Sequence, residues 1–261
     1  MKIFCLSIHN NNYEKLKKLD LIPVGLGDEK FDTDWLNDKG TINISQKNQN
    51  FGEYTFHYHL WKNILVNKHY DNWIGFCSYR RFWTTTTGVN LQSLEDLNEI
   101  LIKNQKDDWD KFDVILGEPL IFGKIKNSKL IKRNFLEVIK KPSVLFNKNS
   151  LMDQFRIFHG SFFLKKSLDL LSHENKINFE IFLNNYELNP YNMFICKNSK
   201  ILNRFYNEIF PWLFKCEEEF KNINLSGYDK TRIYGFLAER YISYWFKKNF
   251  KTTTCPISFF E

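Results

Sequence analysis

The sequence has 261 residues, enough for one large domain or two small ones, and its 43% of hydrophobic residues can form a core. It has no apolar run of about 18 residues to span a membrane, and its short amino-terminal apolar stretch is not typical of a signal peptide. The net charge of +7 is dispersed, which argues against a nucleic-acid-binding arm. The five cysteines form no CxxC pair, which argues against a disulfide framework or a zinc ribbon and favours a reducing compartment.

The amino-terminal segments predict the beginning of an α/β sheet. Lys2–Ile8 is a predicted strand, a helical stretch follows it, and Leu21–Gly25 is a second short apolar run. Residues 28–50 are polar and rich in turn residues, and a loop of this length inside a domain is usually functional. Residues 51–68 are predicted to be helical because their large side chains recur on one face at helical spacing.

The rest of the chain adds further strands and then mostly helices. Trp73–Ser78 and Phe112–Leu116 are continuous apolar runs typical of buried strands, and Tyr191–Cys196 is another candidate strand. Residues 124–150 are basic and irregular, and helices are predicted over 91–104, 151–172, 176–188, 199–222 and 229–248. The sequence shows no repeat and no linker rich in Gly, Ser or Pro. We therefore predict one α/β domain with a helical carboxyl-terminal part.

Three polar residues, Tyr79, Arg80 and Arg81, directly follow the predicted strand Trp73–Ser78. Open α/β sheets bind ligands at the carboxyl ends of their strands, and two adjacent arginines there are costly to bury without an anion. The arginine fork matches phosphate oxygens in a bidentate way, so the pair is a candidate clamp for a diphosphate. The alternative is that one or both arginines pair with local carboxylates or point into solvent.

The polar loop over residues 37–48 is a second candidate site. Asp38, Asn43 and Ser45 in this loop could bind a ribose, a base edge or a sugar. The alternative is an Asx-rich turn whose side chains satisfy one another, which is the common structure for such a sequence. His9, at the end of the first predicted strand, is also suitably placed to contact a ligand.

Candidates for a general base are His159, on a predicted helix, and Glu239, in the segment GFLAERY. A lone histidine is more often structural, and Glu239 could instead pair with a neighbouring arginine. His57 and His59 have no carboxylate at matching spacing, so we predict no metal site there. The sequence has no P-loop, GxGxxG, GxSxG or HExxH motif, which argues against the common nucleotide-binding, hydrolase and zinc-protease classes.

Several segments, taken in order, resemble one protein family. They are IPVGLG, D-x-G-x-x-N-I-S-x-K-N, E-Y-T-x-x-Y-x-x-W-K-N, W-I-G-F-C-S-Y-R-R-F, Q-F-x-x-x-H, Y-N-M-F-I, P-W-L-F and R-x-x-G-F-L-A-E-R. This series is similar to the family called domain of unknown function 4422, from the first strand to nearly the last helix. Members of that family occur in gene clusters for capsule, exopolysaccharide and lipopolysaccharide. They are treated as glycosyltransferases, with galactofuranosyl transfer as the associated activity.

The resemblance implies a GT-A-like fold, in which a Rossmann-like sheet binds a nucleotide sugar, usually a UDP-sugar. It marks the residues that match the family motifs, most of them polar or aromatic: Asp38, Gly40, Asn43, Ile44, Ser45, Asn48, Glu53, Tyr58, Trp61, Lys62, Asn63, Tyr79, Arg80, Arg81, Gln154, His159, Asn192, Met193, Trp212, Arg232, Glu239 and Arg240. One position departs from the family, because Ser78 stands where the family usually has the histidine of His-Tyr-Arg-Arg.

The residues and the resemblance together predict a glycosyltransferase. It would move a hexose, with galactofuranose as the sugar that the family suggests, from a UDP-sugar to a glycan acceptor with inversion. We predict a single domain over 1–261, with 1–120 as the half that binds the nucleotide sugar and 121–261 as the mostly helical acceptor half. The predicted catalytic residues are His159, Glu239, Arg80 and Arg81. The predicted substrate-binding residues are His9, Asp38, Asn43, Ser45, Lys62, Tyr79 and Asn192.

Fixed cations at a strand end would take the place of a divalent metal, so we expect no metal and no cofactor. The metal-binding spelling DxD occurs within 107–110 and 32–34, and both are predicted to be polar turns. The expected partners are the UDP-sugar and a saccharide or lipid-linked saccharide acceptor, without nucleic acid and with at most peripheral membrane contact. The expected location is the cytoplasm, including the inner face of the membrane. The alternative is a non-catalytic module that binds a glycan or a nucleotide on a degenerate glycosyltransferase fold, and Ser78 is the feature that supports it.

Overall fold

A mostly parallel sheet forms the centre of the protein. The computed structural model describes residues 1–123, 136 and 138–261. The strands in this part of the chain are β1 (Lys2–Ser7), β2 (Ile22–Gly25), β3 (Leu36–Asn37), β4 (Ile74–Ser78), β5 (Arg81–Trp83), β6 (Val114–Gly117), β7 (Leu120–Ile121), β8 (Glu187–Leu188), β9 (Phe194–Cys196), β10 (Thr252–Cys255) and β11 (Ile257–Phe259). β7 and β8 pair with each other, and the others join one sheet.

The strand order in the sheet is β10-β6-β9-β4-β1-β2-β3, with β5 pairing to β4 and β11. Neighbours along this order are parallel, except that β9 runs antiparallel to both β4 and β6. β1 lies between β2 and β4, so the carboxyl ends of three parallel strands meet at one edge of the sheet. The sheet takes strands from both predicted halves, 1–120 and 121–261. The predicted α/β fold with a Rossmann-like mixed sheet is confirmed.

Helices cover the sheet and dominate the carboxyl-terminal part, as predicted. The α-helices with bounds in the described residues are α1 (Tyr13–Lys18), α2 (Asn48–Phe51), α3 (Tyr54–His59), α4 (Leu94–Ile100), α5 (Leu151–His159), α6 (Ser161–Asp169), α7 (His173–Leu183), α8 (Ser199–Phe220), α9 (Tyr228–Thr231) and α10 (Ile233–Asn249). Within the described ranges, no helix combines the length and the apolar content needed to cross a bilayer.

The core consists of two large hydrophobic clusters, which take alternate residues of the strands. In β1, Phe4 and Leu6 belong to the first cluster, whereas Ile3 and Cys5 belong to the second. Successive side chains of a strand point to opposite faces, so the two clusters lie on opposite faces of the sheet. The first cluster contains buried hydrophobic residues of α3, α5, α6, α7, α8 and α10, and the second contains those of α1 and α4. Ile157 of α5 belongs instead to a third, small cluster with Val138 and Val144. Burial on both faces explains why the central strands are continuous apolar runs.

Glycines divide two of the predicted helices. The helix predicted over 51–68 is interrupted at Gly52, which has φ 58° and separates α2 from α3. The helix predicted over 151–172 is interrupted at Gly160, which has φ 104° and separates α5 from α6. A right-handed helix requires a negative φ, so it cannot continue through either residue. Residues other than glycine rarely adopt a positive φ.

Two predicted polar segments also have definite places. The DxD spelling within 107–110 forms a short 3₁₀ helix, Asp107–Lys111, before β6, as the predicted polar turn requires. The DxD spelling within 32–34 lies in the loop before β3, where Asp32 accepts a hydrogen bond from Asn10. Part of the segment predicted to be basic and irregular, 124–135 and 137, lies outside the described residues.

Candidate active site

Two adjoining cavities lie at the edge of the sheet where β1, β2 and β4 end. The first has a volume of about 200 Å³ and is lined by Glu53, Ser78, Arg81, Tyr191, Asn192, Tyr228, Arg232, Gly235, Phe236 and Glu239. The second has a volume of about 130 Å³ and is lined by Leu6, Ile8, Leu26, Asn48, Gly52, Glu53, Ser78, Tyr79, Arg80, Arg81, Tyr228 and Arg232. Their common wall consists of Glu53, Ser78, Arg81, Tyr228 and Arg232.

The arginines that follow β4 line these cavities. Arg81 lines both, and its guanidinium lies 4.2 Å from the centre of the Tyr191 ring. Arg80 lines the second cavity together with Tyr79, and its guanidinium lies 4.9 Å from the centre of the Tyr79 ring. Each cation is therefore held against an aromatic face, which fixes its position without neutralising its charge.

The two arginines differ in their ion pairs. Arg80 Nη1 lies 3.2 Å from Glu261 Oε1, and both side chains of this pair are exposed. An exposed ion pair contributes little to stability, and a competing anion can displace it. Arg81 makes no ion pair with a carboxylate among the residues that the structure describes. Among the described residues, the alternative of pairing with a local carboxylate therefore applies to Arg80 and not to Arg81.

Glu239 presents a carboxylate to the first cavity. Its Oε1 accepts a hydrogen bond of 2.7 Å from the Tyr191 N–H, and its Oε2 lies 3.2 Å from Arg240 Nη1. Arg240 is buried and also donates to the Phe236 carbonyl and to Gln154 Oε1, and its burial lowers its pKa. These contacts hold the Glu239 carboxylate in one orientation on the cavity wall.

Two polar atoms in the wall of the first cavity are buried without a hydrogen-bond partner in the described part of the chain. They are Ser78 Oγ, at the end of β4, and Asn192 Oδ1. Tyr191 and Asn192 have φ angles of 74° and 53°, which are uncommon for residues other than glycine. Buried polar groups are rarely left unpaired, so these atoms are candidates to bind the hydroxyl groups of a ligand.

An ion pair joins the two cavities at their common wall. Arg232 Nη2 lies 3.1 Å from Glu53 Oε2, and the side chains are 27% and 26% exposed. Arg232 immediately precedes α10, and Glu53 immediately precedes α3. Neither residue is among those predicted to be catalytic or substrate-binding, although the family resemblance marks both.

The loop over residues 37–48 has the structure of an Asx-rich turn. Asn43 Nδ2 donates to the Gly40 carbonyl, and Asn43 Oδ1 accepts from the Ser45 N–H and hydroxyl. Asp38 is fully buried and accepts a hydrogen bond of 3.1 Å from the Gly27 N–H, and burial raises its pKa. Asp38, Asn43 and Ser45 were predicted to bind substrate, but these three described residues line neither cavity. Asn43 and Ser45 form hydrogen bonds within the loop, and the Asp38 carboxylate is bonded to the Gly27 N–H.

Three other predicted site residues, His159, His9 and Lys62, are not part of the described walls of either cavity. His159 is buried, with its ring stacked 4.2 Å from that of Phe236 and its Nδ1 2.8 Å from the Asp229 carbonyl oxygen. His9 meets the Tyr79 ring edge-on at 5.4 Å. The Lys62 ammonium group lies 3.4 Å from the centre of the Trp61 ring. His159 and His9 thus contact residues that line a cavity.

In the described part of the chain, three larger cavities lie away from this edge of the sheet. One, of about 580 Å³, is lined by residues of α5, α6 and α7, another, of about 560 Å³, lies beside β7 and β8, and the third, of about 300 Å³, lies around Ser143 and Asp153. None of the three linings includes a described residue at the carboxyl end of β1, β2 or β4. We assign the candidate site to the two smaller cavities because they combine strand ends, unpaired polar atoms and opposed charges.

Comparison with known proteins places the chain in a family. The family model described as domain of unknown function (DUF4422) matches residues 2–250. The chain belongs to this DUF4422 family. No curated protein matches it. A solved structure described as the apo structure of the bifunctional glycosyltransferase WbbM is similar to it, with a TM-score of 0.73 and 18% sequence identity. The similarity covers 99% of this chain and 45% of the WbbM chain, so this chain spans less than half of that protein's length.

The glycosyltransferase-like fold of this DUF4422 chain agrees with the predicted fold class. Of the predicted site residues, the structure brings together Tyr79, Arg80, Arg81, Asn192 and Glu239. In the described part of the chain, no group of three or more His, Cys, Asp and Glu side chains is placed to hold a metal ion. The independence of the reaction from metal stays a prediction.

Proposed function

We propose that this chain is a glycosyltransferase that moves a hexose from a UDP-sugar to a glycan acceptor. The observation that carries the proposal is the pair of adjoining cavities, with Arg80, Arg81 and Glu239, at the carboxyl ends of parallel strands. The similarity of the fold to that of WbbM, a bifunctional glycosyltransferase, supports the reaction class. The DUF4422 resemblance suggests galactofuranose as the sugar, and a saccharide or lipid-linked saccharide in the cytoplasm as the acceptor.

The arginines would neutralise the leaving diphosphate. When the bond between the sugar and the diphosphate breaks, negative charge grows on the β-phosphate, and a cation already in place there lowers the barrier. Arg81 makes no ion pair with a described carboxylate and Arg80 makes an exposed one, so both can bind phosphate oxygens at little cost. In this proposal they supply the positive charge that a divalent metal supplies in other enzymes, and no metal or cofactor is required.

A carboxylate would act as the base in a single inverting displacement. The acceptor oxygen attacks the anomeric carbon, the bond to the UDP oxygen breaks, and the acceptor proton passes to the base. Glu239 is the first candidate because its carboxylate lines the first cavity and is held by the Tyr191 N–H. His159 is the second candidate. Its ring stacks on Phe236, which lines the first cavity, so the Phe236 ring would have to move before His159 could contact an acceptor.

Measuring the release of UDP from a panel of UDP-sugars, with and without glycan acceptors, tests the proposal. We expect release from one UDP-sugar to rise when the matching acceptor is added. Tight binding of UDP with no release from any sugar would instead favour a non-catalytic nucleotide- or glycan-binding module. Ser78, in the position of the family's histidine and with its Oγ in the cavity wall, is the observation that favours this second function.

A further inference from the structure

We infer that Arg232 is a further cation for the donor diphosphate and that Glu53 is the internal anion that holds its place when no ligand is bound. The inference rests on the proposed function, because it takes the ligand to be a nucleoside diphosphate. It adds to that function a residue that is distant from the Tyr79–Arg81 segment along the chain. It also assigns opposite effects on ligand affinity to the two members of one ion pair.

The position of the pair is the first argument. Glu53 and Arg232 line both cavities, as do Ser78 and Arg81. A ligand that extends from one cavity into the other would therefore pass Arg81 and the Glu53–Arg232 pair, which line both. A nucleotide sugar has its two phosphates between the nucleoside and the sugar, so its most negative part would lie at this junction.

The fit of Arg232 against the backbone is the second argument. A Cβ atom on Gly52 would overlap the Arg232 guanidinium, so the guanidinium occupies space that only glycine leaves free. The Gly52 carbonyl accepts hydrogen bonds from Asn48 Nδ2 at 2.9 Å and Thr55 Oγ1 at 3.1 Å. Gly52 also has φ 58°. The Gly52 backbone, held by Asn48 and Thr55, forms the surface on which the Arg232 guanidinium packs, and we call this surface the seat.

The seat extends back to Asp38. A Cβ atom on Gly27 would lie 3.2 Å from Asn48 Cβ, so these two residues pack tightly. The Gly27 N–H donates to the buried Asp38 carboxylate. Through Gly27, Asn48 and Gly52, the Asp38 carboxylate is therefore linked by a chain of contacts to the guanidinium of Arg232.

The chemistry of the pair is the third argument. Carboxylates and phosphates both accept two hydrogen bonds from the arginine fork, so a diphosphate can replace Glu53 as the partner of Arg232. The negatively charged Glu53 carboxylate then repels the incoming phosphates, which also carry negative charge. Arg232 should strengthen diphosphate binding, and the charge of Glu53 should weaken it.

Isothermal titration calorimetry with inorganic pyrophosphate and with UDP tests the inference on the full chain. We expect Arg232→Gln to lower the affinity for both about tenfold or more, which is typical of a lost hydrogen bond to a charged group. We expect Glu53→Gln to raise the affinity severalfold. A loss of affinity in both variants, no change in either, or no binding of pyrophosphate by the wild-type chain would overturn the inference.

Two glycine variants test the seat. Gly52 and Gly88 both have positive φ, but a Cβ on Gly88 would meet nothing within 4 Å. Gly52→Ala should lose pyrophosphate affinity, and Gly88→Ala should keep it, with thermal unfolding confirming that both variants fold. Equal affinities in two folded variants would overturn the role of the seat in binding.

The release of UDP by the wild-type chain separates the two proposals. Release without opposite shifts in affinity rejects the inference alone, and opposite shifts without release reject the proposed transfer alone.

Discussion

Each arginine of the candidate site owes its availability to its immediate neighbours. Arg81 is fixed over the Tyr191 ring and has no carboxylate partner in the described part of the chain, whereas Arg240 is buried and bound to Glu239 and Gln154. A guanidinium surrounded by acceptors maintains the structure, and one held only by aromatic faces can bind an incoming anion. The same residue type therefore has different roles within one site.

Replacement of Arg81 by lysine should lower turnover by about 10²–10³-fold, or about 2.7–4 kcal/mol in the barrier. Lysine keeps the charge but lacks the planar fork that binds two phosphate oxygens. The measurement is steady-state release of UDP in the presence of acceptor. Arg204→Lys is a matched control, because Arg204 lies over the Trp245 ring away from both cavities, and its turnover should equal that of the wild type. Equal turnover in Arg81→Lys would exclude a bidentate role for Arg81.

Replacement of Glu239 by glutamine should lower transfer by about 10²–10⁴-fold and leave UDP binding nearly unchanged. The amide oxygen of glutamine still accepts the Tyr191 N–H, but it cannot take the acceptor proton. Turnover and calorimetry on the same variant separate the two effects. If Glu239→Gln keeps normal turnover and His159→Asn loses it, the base is His159.

At the scale of elements, α3 packs the side chain of His57 against the first hydrophobic cluster on the sheet. His57 is fully buried, its ring lies 4.3 Å from that of Phe76, and its Nδ1 shares a hydrogen bond of 2.7 Å with the Tyr206 hydroxyl. Burial lowers the pKa of His57 to about 3, because the charged imidazolium would lose its hydration. The side chain is therefore a neutral part of the core.

We therefore expect the free energy of unfolding to fall as the pH decreases. The folded pKa of His57 lies below the ordinary value of 6.5, so the unfolded chain binds the proton first, and the contribution is complete above that pH. Between pH 7 and pH 5 this histidine alone should cost about 2 kcal/mol, measured by urea unfolding. His57→Gln should flatten the dependence, and the exposed His69→Gln should not. An unchanged slope in His57→Gln would contradict the assignment.

At the scale of the whole molecule, the candidate site gathers residues from distant parts of the chain. Ser78 and Arg81 come from the strand region, Asn192 from the segment before β9, Arg232 from the position between α9 and α10, and Glu239 from α10. The 3.1 Å contact between Glu53 and Arg232 joins residues 179 positions apart. Correct packing of the carboxyl-terminal helices on the sheet is therefore needed to complete the site.

Turnover in excess EDTA should equal turnover in buffer, because we propose that Arg80 and Arg81 neutralise the diphosphate in place of a metal. The measurement is release of UDP before and after treatment with EDTA, followed by addition of Mn²⁺ or Mg²⁺. Loss of activity with EDTA and its recovery with Mn²⁺ would contradict the prediction. In that case the acidic residues within 107–110 and 32–34 become candidate ligands.

The amino-acid sequence by itself determined the fold class, the family and one edge of the site. Short apolar runs predicted β1, β2, β4, β6 and β9, because strands covered on both faces must be apolar throughout. Tyr79, Arg80 and Arg81 directly follow the predicted strand β4. Because parallel strands bind ligands at their carboxyl ends, these residues were predicted to form part of a ligand site. Ordered motifs along nearly the whole chain predicted the family.

Only the tertiary structure decided which of the marked polar residues line the cavities. Asp38 and Glu53 are both acidic and both belong to the family pattern, but Asp38 is buried against the Gly27 N–H, and Glu53 meets Arg232. Local periodicity reports which face of an element is buried, and it carries no distance between residues far apart in the chain. Those distances are set by how the helices pack on the sheet, and they separate a carboxylate that supports the site from one that lines it.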